Sequence, residues 1–150
     1  MKLIEIKDIG ELMEWRREVL LNVFGSEPDS MLLRANRQYY ERNIPAGTHR
    51  AFVAEYEGIS CGCGAICLSE ELPSPDNTSG RCAYLMNIYV RREFRTRGVA
   101  HAIVSRLIRE AKICGCGKIY LETTADGKPV YTSLGFRDMP DMMKYYENEI

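Results

Sequence analysis

The sequence lacks the features that mark several whole classes of protein. Neither charge is in excess: 20 Lys and Arg stand against 21 Asp and Glu, leaving a net charge of -1 and a pI of about 6.2. A nucleic-acid binder carries a basic balance or a basic face, so nucleic acid is not expected as a partner. No apolar run approaches the eighteen or so residues that a bilayer span needs, so no membrane is expected either. The opening Met1-Lys2-Leu3-Ile4-Glu5-Ile6-Lys7-Asp8 alternates charged and aliphatic residues. It has no signal-peptide apolar region, and a cytoplasmic location is expected. No Gly-x-Gly-x-x-Gly fingerprint occurs, and no lysine follows a phosphate-loop glycine, which disfavours dinucleotide and ATP sites. Repeats, low-complexity tracts and linkers are absent, so residues 1–150 are read as a single domain with room for a sizeable core.

Metal ligands are also in short supply. The chain has two histidines, His49 and His101, and six cysteines at 61, 63, 67, 82, 114 and 116. Both close cysteine pairs are Cys-Gly-Cys, and one intervening residue is too few for paired structural zinc ligands. No metal is expected. Without a secretory signal the cysteines are read as small buried or turn residues carrying free thiols.

What is present is a globular composition, 45% hydrophobic and 27% charged, with a readable change of period along the chain. Leu3 to Ile6 reads as a short strand. Leu12, Met13, Val19, Leu20 and Val23 recur at helical spacing within Ile9 to Phe24, and Gly25 stops that helix. Asp29 reads as the N-cap of a second helix, Met31 to Ile44, ended by Pro45-Ala46-Gly47. Arg50 to Tyr56, a Glu57-Gly58 turn and Ile59 to Leu68 read as a hairpin. Gly62 and Gly64 mark a bulge or a close approach in its second strand. Residues 70–80 have turn chemistry throughout. Cys82 to Val90 suits a strand buried on both faces. Val99, Ile103, Leu107 and Ala111, widened by Val104 and Ile108, form one helical stripe. Lys118 to Thr123 reads as a strand and Lys128 to Leu134 as a short helix. Phe136 and Met142 to Glu147 read as closing strands. The order predicts an α+β sandwich, one central sheet flanked by helices.

One segment offers chemistry: Tyr89-Val90-Arg91-Arg92-Glu93-Phe94-Arg95-Thr96-Arg97-Gly98-Val99-Ala100. A buried strand runs through a basic loop into a helix, whose first turn carries unpaired N–H groups and the positive end of the dipole. Gly98 lets a phosphate approach the backbone, and Arg92, Arg95 and Arg97 add formal charge. The ligand this arrangement suggests is a pyrophosphate. Alone, such a loop is common on solvated surfaces.

A second motif adds weight. Tyr84 to Phe136 resembles the core of the Gcn5-related N-acetyltransferase (GNAT) superfamily. In that family a strand ending in Val is followed by Gln/Arg-x-x-Gly-x-Gly/Ala, matched here by Val90, Arg95, Gly98 and Ala100. Some thirty residues later comes a Tyr ahead of a Gly-Phe pair, matched by Tyr131-Thr132-Ser133-Leu134-Gly135-Phe136.

The resemblance implies a mixed, mostly antiparallel sheet, splayed between its fourth and fifth strands. It implies acetyl-CoA as acyl donor, with its pantetheine arm in that gap. Ile88, Tyr89, Val90 and Thr124 would hold the arm. Arg95, Thr96, Arg97, Gly98, Val99, Ala100 and His101 would form the pyrophosphate loop. The amine of a small molecule or peptide would attack the thioester, and Tyr131 would protonate the departing sulfur. A homodimer is the family-level expectation. Two positions depart from the family pattern: Tyr84 stands where histone-modifying members have a Glu, and Thr124 where many have an Asn. Glu122 becomes the first candidate for general base, with Glu70, Glu71 or Asp76 acting through water as the alternative. Carboxylates on the 70–76 loop suit a cationic acceptor, although a solvated loop is as consistent with them. The competing readings are a non-catalytic coenzyme A-binding regulatory module and an enzyme using another acyl-CoA.

Overall fold

The structure is a computed structural model and describes residues 1–148. Five strands, β1 (Lys2–Ile6), β2 (His49–Tyr56), β3 (Ile59–Glu70), β4 (Arg81–Val90) and β5 (Lys118–Leu121), lie in that order in one sheet. Neighbours are antiparallel except for the parallel pair β4/β5. Four helices flank it: α1 (Ile9–Phe24), α2 (Ser30–Ala46), α3 (Val99–Ile113) and α4 (Lys128–Ser133).

Side-chain alternation divides the sheet into two cores. Phe52, Ala54, Ile66, Ala83 and Leu85 meet the stripe Val99, Ile103, Val104, Leu107 and Ala111 of α3, each at most 1% exposed. Ala51, Val53, Cys63 and Ala65 meet Leu12, Trp15 and Val19 of α1 and Tyr40 of α2 on the opposite face. Asp8 and Asp29 cap α1 and α2 by accepting from the N–H groups of Glu11 and Leu32, at 2.9 and 2.8 Å. Helix α2 continues through Pro45 to Ala46 before Gly47 closes it. A proline in the last turn still accepts the backbone geometry, so it does not end the helix as expected.

Gly62 and Gly64 mark the close approach of α3 to β3. A Cβ on Gly64 would lie 2.6 Å from Ile103 Cγ2, and one on Gly62 2.6 Å from the Tyr89 carbonyl oxygen. Strand β3 is bulged beside Gly62, where Cys61 is the extra residue between the pairs Ala54–Gly62 and Glu55–Ser60, and a second bulge lies on β4. Between the pairs Ala65–Met86 and Cys63–Tyr89, β4 carries Asn87 and Ile88 where β3 carries only Gly64. Asn87 takes up the extra residue in a left-handed conformation, φ 56°, which Asn adopts more readily than most residues. A bulge increases local twist. Strand β5 pairs with β4 only from Cys82 to Leu85, so Met86 to Val90 carry no strand on that side, and the sheet opens there.

The expected closing strands do not form. Phe136 and Met142 to Glu147 lie outside any strand, and β5 ends at Leu121 instead of Thr123. Pro140 and Asp141 form a turn between them, and Met143, Tyr145 and Tyr146 are all largely exposed. That segment therefore has no alternation with which to bury one face.

Cysteines 61, 63 and 82 are buried and the other three partly so, all as free thiols. Among the described residues no helix is long and apolar enough to cross a membrane, and no cluster of metal-ligating side chains occurs.

Candidate active site

The residues expected to form a pyrophosphate loop come together where β4 leaves β5 behind. A 3-10 turn (Arg92–Phe94) links Val90 to Gly98, the N-cap of α3, with φ 78° and no side-chain cap. The first cap bond of the helix runs from the Ala102 N–H to the Gly98 carbonyl. The N–H groups of Val99, Ala100 and His101 are thus the unpaired first-turn donors. A Cβ on Gly98 would meet nothing within 4 Å, so the space before these donors is open. Thr96 is also left-handed, φ 63°, which costs a β-branched residue about 1–2 kcal/mol. Loops shaped by such residues turn successive N–H groups toward one anion.

The charges around the loop divide into two sets. Arg91 is engaged: it grips Glu18 with two nitrogens at 2.8 and 2.9 Å and lies 4.4 Å over the Trp15 ring. Arg92, Arg95 and Arg97 form no ion pair among the described residues. Arg95 donates to the Val90 carbonyl at 3.1 Å, and Arg97 lies over Tyr56 and Phe94, 5.7 and 5.8 Å from their ring centroids. Ile88 and Val90 turn their side chains to the α3 core and Tyr89 to the opposite one.

Thr124 is exposed, and its carbonyl accepts from Thr123 and Gly127. Tyr131 on α4 is half-buried, edge-on to Phe136 at 5.9 Å, and burial raises the pKa of its phenol. Glu122 follows β5, exposed, beside the Tyr84 hydroxyl. The Tyr84 pKa is raised by burial first and by that carboxylate second. Glu70, Glu71 and Asp76 lie at the opposite end of β4 from the opening. Glu71 there pairs with Lys118 at 3.2 Å and accepts from Asn77, about 17 Å of strand from Met86.

A cavity of about 390 Å³ opens between α1, α2 and the sheet, lined by Arg16, Ala35, Asn36, Tyr39, Tyr40, His49, Cys67, Tyr84, Met86 and Asn87. A larger one, about 840 Å³, follows the outer edge of β5 beside Tyr131, Phe136 and Met142, and no β4 residue lines it.

His49, the first residue of β2, is only 3% exposed. Its Nδ1 lies 2.8 Å from the Tyr39 hydroxyl, which also contacts Cys67 Sγ at 3.0 Å. Burial, with the Arg16 charge second, lowers its pKa from 6.5 to about 4. The unfolded chain therefore takes up this proton at a higher pH than the folded one. Stability is expected to fall as pH drops from about 6.5 to about 4, by about 3 kcal/mol in all. His49→Gln should flatten unfolding free energy between about pH 6.5 and 5.5, above most of the carboxylate range. Equal slopes in denaturant titrations of both proteins would refute this.

Sequence reasoning missed the Arg16, Asn36, Asn87, His49 and Cys67 lining. The one signal was an Asn inside an otherwise apolar strand run, since Arg16 shares α1 with Glu11, Glu14, Arg17 and Glu18 and does not stand out among them.

The model of the Acetyltransferase (GNAT) family matches residues 10–136. A predicted acetyltransferase from Clostridium acetobutylicum, crystallised with acetyl-CoA, is 26% identical, with a TM-score of 0.85 over 97% of this chain and 95% of that one. A GCN5-related N-acetyltransferase from Ralstonia eutropha is 22% identical, TM-score 0.77, over 97% of both chains. A glucosamine-6-phosphate N-acetyltransferase from Arabidopsis thaliana is 19% identical, TM-score 0.73, over 99% of this chain and 100% of that one. The last two likenesses bear on the fold alone. No curated protein sequence matches the chain significantly.

Proposed function

The chain belongs to the GNAT acetyltransferase family, and from that premise we propose that it moves the acetyl group of acetyl-CoA onto a primary amine by direct attack on the thioester. The observation that carries this reading is the uncapped start of α3, with Gly98 and three unpaired arginines, set beside the stretch of β4 that lacks a partner. A pyrophosphate fits the first and an extended pantetheine amide chain the second, as an added strand.

The donor supplies an activated acyl group, and the residues of the chain do the rest. Backbone groups of Ile88 and Val90 hold the arm beside β4, and the N–H groups from Arg97 to His101 receive the diphosphate. The opening positions the acceptor amine against the carbonyl, which supplies much of the rate. The Ile88 N–H stabilises the oxygen where negative charge develops. Tyr131 gives its phenolic proton to the leaving sulfur, and Glu122, next to Tyr84, is the proposed base for the amine.

Calorimetric titration with acetyl-CoA tests this, expecting saturable one-site binding and thiol release when an acceptor is supplied. Gly98→Val should weaken binding about 10- to 100-fold, since its side chain fills the space before the first-turn donors. Wild-type affinity in that variant excludes the phosphate placement.

A further inference from the structure

The cavity between α1, α2 and the sheet has an unusual balance of polar groups. Arg16 reaches it from α1 and donates through Nε to Asn36 Oδ1 and through Nη1 to Asn87 Oδ1, both at 2.8 Å. These bonds fix both amides, because a guanidinium can only donate and each Asn must present its oxygen to it. Among the described residues no carboxylate pairs with Arg16, although Arg17, Arg50, Arg91 and Arg106 all have one. No acidic side chain lines the cavity. Arg16 is therefore held in place by neutral amides, and among the described residues its charge meets no carboxylate and its Nη2 no hydrogen-bond partner.

His49 adds a second, independent indication. Its Nε2 is buried and has no hydrogen-bond partner, an arrangement that usually means a missing ligand or water. The tautomer is assigned so that Tyr39 O–H donates to Nδ1 and Nε2 carries the hydrogen. With the Asn36 amide nitrogen given to the Leu32 carbonyl at 2.8 Å, the unfilled positions are Arg16 Nη2, the Asn87 amide nitrogen and His49 Nε2–H. All three are donors, and one is charged. On the β5 side, by contrast, the Glu122 carboxylate stands beside Tyr84.

Building on the acyl-transfer reading above, we infer that the acceptor is an amine that also carries an anionic group, a carboxylate or a phosphate, bound by Arg16 while the amine faces β4 and Glu122. Tyr39, Tyr40, Tyr84 and Met86 leave an apolar surface for the body of such a molecule. A cationic acceptor, which the 70–76 loop had suggested, would meet Arg16 and no carboxylate in the cavity wall.

The test measures thiol release from acetyl-CoA by the full chain with three matched sets of amines. These are the twenty common free amino acids, their C-terminal amides, and aminoalkyl phosphates paired with the corresponding amino alcohols. The expected result is that at least one anionic amine exceeds its neutral counterpart about 10- to 100-fold in kcat/KM. The winning set distinguishes carboxylate from phosphate. Arg16→Gln should bring that ratio to about one by raising KM, with acetyl-CoA affinity unchanged, and Arg16→Lys should restore part of it. A merely structural Arg16 would instead depress both members of each pair equally. That outcome, a preference for neutral or cationic amines, or refusal of every amine by a protein that binds acetyl-CoA overturns the inference. Failure to bind acetyl-CoA at all counts against the acyl-transfer reading itself.

Discussion

Tyr131→Phe is expected to lower kcat by about 10²- to 10⁴-fold, the usual contribution of a positioned general acid, while acetyl-CoA affinity stays within about twofold of wild type. Phe keeps the half-buried ring and its edge-on contact with Phe136. The Tyr131 hydroxyl makes no hydrogen bond among the described residues, so its removal strands no partner. A tyrosine that only packs would therefore tolerate the change almost silently. Because burial raises its pKa, the phenol stays protonated through neutral pH, as a proton donor must. Single-turnover rates with saturating acetyl-CoA, alongside thermal melts of both proteins, separate the two roles. Unchanged kcat removes Tyr131 from the reaction.

The second large effect lies beneath the phosphate loop. Ile103 is completely buried and sits against the two glycines of β3. Ile103→Ala should destabilise the fold by about 2–5 kcal/mol, a fall in Tm of roughly 4–20 °C for a chain this long. Gly64→Ala should cost about 1–3 kcal/mol, because its methyl group would overlap Ile103 Cγ2. Combined, the new methyl occupies space that the shortened side chain vacates. The double variant should then be more stable than the sum of the single effects predicts, by about 0.5–3 kcal/mol. Urea denaturation of the four proteins measures the coupling. Additivity would show that α3 shifts away instead of interlocking with β3, and the alignment of its N-terminus with β4 would need another cause.

How much of this was legible in the sequence depended on how local the signal was. The α3 stripe, the Asp29 cap and the glycine stop of α1 were all readable, since each is decided within one or two turns. The paired motifs around Gly98 and Tyr131 pointed to the family that the chain matches. The Asn87 bulge was not readable, because the apolar run from Cys82 to Val90 looks the same with or without an extra residue. The burial of His49 was not readable either, because it depends on Tyr39 and Cys67, 10 and 18 residues away. Arg16 was passed over for a related reason: a charged residue on an amphipathic helix normally faces water, and only the folded sheet brings Asn87 beside it, 71 positions along. The closing strands failed where Pro140 and the flanking aspartates outweighed an apolar tail.

Asn87 is the pleiotropic position of this molecule. Its backbone bulges β4 where the donor is proposed to lie, and its amide oxygen anchors the arginine proposed to bind the acceptor. A change at this one codon is felt by both substrates at once. Asn36 lies on α2, which packs on α1 and β2 and supplies none of the residues proposed to hold the donor, so a change at Asn36 need not disturb the thioester. Selection for a new amine would accordingly be free to explore the cavity-facing positions of α2, while purifying pressure holds the kink in β4.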